Sequence, residues 1–223
     1  MERAQWFVLR LAFLAVLERK IFITTVSSGQ STMGQPKIAV DVKLFCAITF
    51  ANKAIYDEVK AMLEAKFGPV DTLSAEYDFV YTQYYAREMG ADLKKRLIGF
   101  EKLIRPERLP DIKLETNAIE RQLSIDNKRQ VNIDPGYLAE AKVVLATTKN
   151  FDHRIYLGKG IYGDVHLRYR RNKFIINEWT YPDYQNMLVI DFFARLRKKY
   201  MPKYHQLLQQ RKQGSFYEPE IDL

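Results

Sequence analysis

The sequence predicts an α+β domain in two layers. It has a ferredoxin-like βαββαβ start, a β-meander that extends the sheet, and a long C-terminal helix. Three observations predict it. Apolar residues change period in the order strand, helix, strand, strand, helix, strand over residues 42–133. Three short runs with Gly- and Asn-containing turns between them follow over residues 153–179. A stretch opened by Pro182 and Asp183 then places apolar side chains at helical spacing.

The elements follow in order. Val42–Phe50 is mostly apolar and bounded by polar residues, as a strand buried on both faces is. Asn52 is a helix N-cap, and Ile55, Val59, Met62, Leu63 and Phe67 share one helical face. Gly68-Pro69 ends that helix. Leu73, Ala75, Tyr77, Phe79 and Tyr81 alternate with Ser74, Glu76, Asp78, Val80 and Thr82, which predicts one half-buried strand. A short helical turn spans Thr82 to Gly90. Leu93–Ile104 is a strand, and Pro106–Leu123 is a helix with Leu109, Ile112, Ile119 and Leu123 inward. Gln130–Ile133 is a short strand. Asp134-Pro135-Gly136-Tyr137 reads as a type II turn, with Pro presetting φ and Gly permitting φ > 0. Leu138–Thr148 is ambiguous: Leu138, Ala141, Leu145 and Thr148 suit a helix, while Val143, Val144 and Thr147 suit a strand. Helix is taken. His153–Leu157, Tyr162–Arg170 and Phe174–Trp179 are the meander strands. In the final helix Leu188, Val189, Phe192, Phe193, Leu196 and Tyr200 face inward, Pro202 breaks or restarts it, and Gly214 ends it.

Residues 33–213 are taken as a single domain. Residues 1–32 are read as an extension outside the fold, of the kind a misassigned start codon before Met33 produces. The alternative is an amphipathic membrane-surface or partner helix. Trp6–Leu17 is apolar but interrupted by Arg10, far short of the roughly 20 residues that a spanning helix needs, so no stable membrane insertion is expected. The one cysteine, Cys46, allows no internal disulfide and no thiolate metal cage. A cytoplasmic protein without a metal or cofactor is expected.

The net charge of +8 is local. Residues 33–149 are nearly balanced, whereas residues 150–213 carry 13 basic and 5 acidic side chains. The tail, 214–223, is acidic. One basic face is therefore expected, suited to an anionic partner.

Several strings occur together. They are Tyr84-Tyr85-Ala86-Arg87-Glu88-Met89-Gly90, Val131 to Leu138, Leu145-Ala146-Thr147-Thr148-Lys149, His153-Arg154-Ile155-Tyr156-Leu157, Gly160-Ile161-Tyr162, and Trp179-Thr180-Tyr181-Pro182-Asp183-Tyr184. In that order, over roughly Lys37 to Tyr200, the chain resembles the bacterial and archaeal family called domain of unknown function 4416. The resemblance implies no established activity, although some members carry the label GTP-binding protein. That label finds no P-loop here, because no G-x-x-x-x-G-K-[ST] occurs. The one G-x-G-x-x-G, Gly158 to Gly163, lies between two predicted strands and reads as a tight hairpin.

Candidate site residues fall into groups. His166, Arg168 and Arg170 alternate along one strand and are expected to share a face, with Arg154 joining them from the preceding strand. Such a stripe binds phosphate or carboxylate, or is simply a solvated sheet face. Asp134, Lys149 and His153 are the candidate catalytic group, since Asp134 ends a predicted strand and His is the usual general base near neutral pH. Glu88 beside Tyr84 and Tyr85 is a pocket candidate, and Trp179 and Tyr181 offer rings for stacking or for a packed lid. Tyr137 and Tyr156, within the familiar strings, complete the candidate ligand contacts. The first expectation for function is binding of an anionic small molecule such as a nucleotide. The alternatives are an RNA-binding module using the basic meander and last helix, and an acid–base enzyme using Asp134, His153 and Lys149.

Overall fold

The computed structural model describes residues 37–81 and 85–212. The expected N-terminal extension, the cap at Thr82 and the acidic tail lie outside the described residues. All nine strands of the sheet pair antiparallel, in the order β2-β4-β1-β5-β6-β8-β7, with β3 on β4 and β9 on β8.

Strand β1 (Val42–Phe50) is buried along its whole length, as its apolar run requires. Helix α1 (Lys53–Phe67) starts where Asn52 accepts the Ala54 N–H at 2.8 Å. It ends at Gly68, whose φ of +91° few other residues adopt. The alternating run expected as one strand is two, β2 (Val70–Leu73) and β3 (Tyr77–Asp78). Ser74 breaks it by accepting the Leu97 N–H on its side chain, so the local polar group takes over the ladder. Helix α2 (Ala86–Met89) is short and precedes Gly90 at φ +87°. Strand β4 (Lys94–Ile104) lies between β1 and β2. A 3₁₀ turn, Pro106–Arg108, leads into α3 (Leu109–Gln122). The order β2-β4-β1-β5 is the interleaved order of a ferredoxin-like βαββαβ unit.

Two expectations are corrected in the next segment. Strand β5 (Val131–Leu138) runs straight through Asp134-Pro135-Gly136-Tyr137, so no turn forms there. All four residues pair with β1, and burial in the sheet overrides the local turn preference. Pro135 has no N–H to give, and the ladder to β6 begins only at Gly136. Strand β6 (Lys142–Thr147) replaces the expected helix. Val143 and Leu145 enter one core and Val144 and Ala146 another, so β6 is apolar on both faces. A continuous apolar run of that length cannot be told from a helix by period alone.

The three strands expected as a meander form, as β7 (Arg154–Gly158), β8 (Ile161–Arg170) and β9 (Lys173–Ile176), which ends before the expected Trp179. They are not a simple meander, because β6 takes one edge of β8 and β7 and β9 share the other, along different halves. The β8–β9 turn places Arg171 and Asn172 at φ of +49° and +62°, as a tight hairpin requires. The last helix, α4 (Met187–Lys212), follows a 3₁₀ turn at Pro182–Gln185 and starts later than expected. It continues through Pro202 rather than breaking there. No helix among the described residues is long and apolar enough to cross a membrane.

The layers need one refinement. Leu44, Cys46, Ile48 and Phe50 of β1 pack with α1 and α3. The intervening Phe45 and Ala47 pack with Val189, Phe192, Phe193 and Leu196 of α4. The long helix therefore covers the opposite face of the sheet, and three layers meet at β1.

Candidate functional site

Strands β5 and β6 pair only from Gly136–Leu145 to Leu138–Val143. Before Gly136 on β5 and after Leu145 on β6 they part, and β6 continues against β8 alone. The gap holds a cleft of about 290 Å³. Sequence-expected Asp134, Lys149 and Tyr181 line it, together with Lys113, Glu120, Arg129, Asn132 and Asp164.

Lys113 and Glu120 come from α3. Both occupy core-facing helical positions, beside Leu109, Ile112, Thr116 and Ile119. Lys113 Nζ donates to the Ile133 carbonyl at 2.8 Å and to Asp134 Oδ1 at 3.3 Å. Asn132 donates to Asp134 Oδ2 at 2.7 Å. Burial pushes the Asp134 carboxyl up, but Lys113, Lys95 and Asn132 outweigh it and hold it below its usual value. Its side chain keeps 29% of its surface exposed, so the carboxylate faces the cleft. Glu120 Oε1 accepts the Ile133 N–H at 2.6 Å. Burial raises its pKa, with Lys113 and the Ile133 N–H opposing. Ionising Glu120 therefore costs the fold something. That cost is absent below the ordinary pKa of 4.5 and complete above the raised one. The variant Glu120→Gln keeps an acceptor for Ile133, so its stability relative to wild type is expected to rise as pH climbs from about 4.5 to 7. Urea unfolding across that range checks it, and a flat difference contradicts it.

Arg129 is steered by Glu88, whose Oε2 accepts its Nε–H at 2.6 Å, and it also donates to Asn132 at 3.3 Å. Glu88 thus serves the cleft through Arg129 and does not line it.

On the β8 side, Asp164 is a buried hub. Its Oδ2 accepts from Arg154 Nε at 3.2 Å and lies 3.3 Å from His153 Nε2. Its Oδ1 lies 3.3 Å from His166 Nδ1. Burial raises the Asp164 carboxyl, but His166 and Arg154 together hold it below its usual value. The Tyr181 N–H donates to His166 Nε2 at 3.0 Å, so that nitrogen carries no proton and Nδ1–H faces Asp164. Arg154 also donates to the Tyr181 hydroxyl at 2.8 Å and the Lys149 carbonyl at 3.0 Å. His153 stacks on Trp179, with centroids 5.1 Å apart, and reaches the cleft only through Asp164.

The His166, Arg168, Arg170 stripe does not exist as one face. The β6–β8 register jumps from Val143–Leu167 to Val144–Val165, which leaves His166 as a bulge. His166 and Leu167 then both pack toward the α4 side, His166 against Tyr181 and Tyr184. His166 is fully buried, while Arg168 and Arg170 pair along β9 and line no part of the cleft. Tyr137 packs with Leu109 and Val144, away from Asp134. Tyr156 is exposed on edge strand β7, where it packs on Tyr162 and accepts the Gly160 N–H.

The carboxylates of the site are answered by the chain itself: Asp134 by Lys113 and Asn132, Asp164 by Arg154 and His166, Glu120 by Ile133, Glu88 by Arg129. What remains is donor capacity. Arg121 at the rim makes no ion pair with a described residue, and Asn117 and Thr148 also line the cleft.

The family model described as Domain of unknown function (DUF4416) matches residues 40–200, and the chain belongs to that family. Comparison with the curated proteins and with the solved structures gives no match.

Proposed function

We propose that the cleft between β5 and β6 binds an anionic small molecule, and that a nucleotide is the class it suits. One observation carries this reading. Four basic side chains, Arg121, Lys149, Arg129 and Lys113, line the cleft from α3 and the flanking strands and loops, against three acids, Asp134, Glu120 and Asp164, each of which already has a partner within the protein. Such a donor-rich wall matches phosphate or carboxylate oxygens. Tyr85 and Tyr181 add aromatic side chains to the lining of the same cleft. A cleft of about 290 Å³ has room for one mononucleotide-sized molecule and none for a dinucleotide. The site holds its ligand by preorganised side chains, with no glycine-rich phosphate loop involved.

A thermal-shift panel of nucleoside mono-, di- and triphosphates tests this. A ligand at about 100 times its Kd is expected to add roughly 2.7 kcal/mol. For a domain of this size that is a Tm rise of about 5–10 °C. The variant Arg121→Glu with Lys149→Glu reverses two exposed charges at the rim and is expected to abolish the rise.

A further inference from the structure

A second cavity, of about 750 Å³, lies between the β8–β9 hairpin and α4, apart from the cleft. Its walls are apolar: Phe174 from the hairpin, and Ile190, Ala194 and Met201 from the helix. Phe174, Ile190 and Met201 continue into the core beneath α4, so this floor is fixed by packing. Its rim is basic, with Lys173, Arg197 and Lys198, His205 lies beside them, and no Asp or Glu lines it. Arg197 is held in place, its guanidinium 3.7 Å from the Tyr169 ring centre and bonded to the Glu140 carbonyl at 3.3 Å. Lys173 and Lys198 make no ion pair with any described residue.

We propose that this groove is a second binding site, for an amphipathic carboxylate of the medium-chain fatty-acid class. The charge is complementary: Arg197, Lys173 and Lys198 set positive charge around the groove, and a carboxylate answers it. The alkyl chain lies on aliphatic walls and removes them from water. The volume is in the range of single-ligand sites, about 300–1,000 Å³. Nucleic acid is the poorer occupant. Arg197 covers the Tyr169 ring, and Phe174 meets Tyr169 edge-on with centroids 5.0 Å apart. The Tyr169 ring is thus already engaged within the protein rather than presented for stacking on a base.

Isothermal titration of the full chain with sodium decanoate, below its micelle concentration, tests the site. Saturable binding is expected, with butyrate and decanol each at least tenfold weaker. Ala194 is exposed on the groove wall, so Ala194→Trp fills the groove without touching the core and is expected to weaken decanoate tenfold or more. Lys198→Glu is expected to weaken it several-fold. No decanoate binding at millimolar concentration overturns the proposal, as does equal binding by Ala194→Trp or by butyrate. Binding of a polyuridylate in place of decanoate, weakened by Lys198→Glu, overturns it in favour of a nucleic-acid surface.

Discussion

Replacing Asp164 with Ala is expected to cost the domain about 3–5 kcal/mol, the usual penalty for breaking a buried ion pair from one side. Asp164 is 2% exposed and Arg154 is 8% exposed, so deletion leaves a largely buried guanidinium without its counter-charge. It also leaves His166 Nδ1–H facing no acceptor, while Tyr181 N–H still occupies the other ring nitrogen. Urea unfolding reads the loss directly, and the Tm is expected to fall by roughly 10 °C. Asp164→Asn keeps an acceptor but loses the charge and is expected to fall in between. The penalty carries a pH signature. Because the native Asp164 pKa lies below the usual 3.8, its contribution is complete above that value and is lost as pH falls through the native one. The gap between wild type and Asp164→Ala is therefore expected to close in acid. A loss under about 1 kcal/mol at neutral pH would contradict the hub.

Gly136→Ala is expected to be nearly as damaging, at about 3 kcal/mol, the upper end for overpacking a rigid site. A Cβ at Gly136 would lie 2.4 Å from the Val144 carbonyl oxygen and 2.6 Å from Phe45 Cζ. The first is ladder backbone of β6 and the second a fully buried ring, so neither gives way cheaply. Gly136 stands at the last β5–β6 pair before the cleft, so forcing the strands apart there also reshapes the site. In a surface turn the same substitution would cost far less. A loss below about 1 kcal/mol would restore the turn and remove the strand.

That contrast shows where sequence patterns carry and where they stop. The βαββαβ order was legible because each element's period is set by its own burial, as in β1 and α1. Asp134-Pro135-Gly136 misleads because Gly136 is fitted to its neighbours in the sheet, the Val144 carbonyl of β6 and Phe45, which lies 91 residues away in the chain. Residues 142–147 mislead because a strand with two buried faces has no alternation to display. The basic stripe failed at one residue: the bulge at His166 shifts every later side chain on β8 to the other face, and nothing in an alternating string announces a bulge. Asp134 and Lys149, both singled out in the sequence, line the cleft where β5 and β6 part. Lys113 and Glu120 were missed although they left a signal. They are charged residues seven apart on the inward stripe of α3, and a charge at a core-facing position needs a partner or a cavity. Asp164 carries no distinguishing sequence pattern, and only the fold brings His153, Arg154 and His166 around it.

Titration calorimetry compares wild type with the Arg121→Glu, Lys149→Glu double variant, using the nucleotide that gives the largest thermal shift. Saturable binding is expected, weakening with added salt and falling tenfold or more in the variant. Absence of binding by any nucleoside phosphate at millimolar concentration, or equal binding by the variant, would contradict an anion site between β5 and β6.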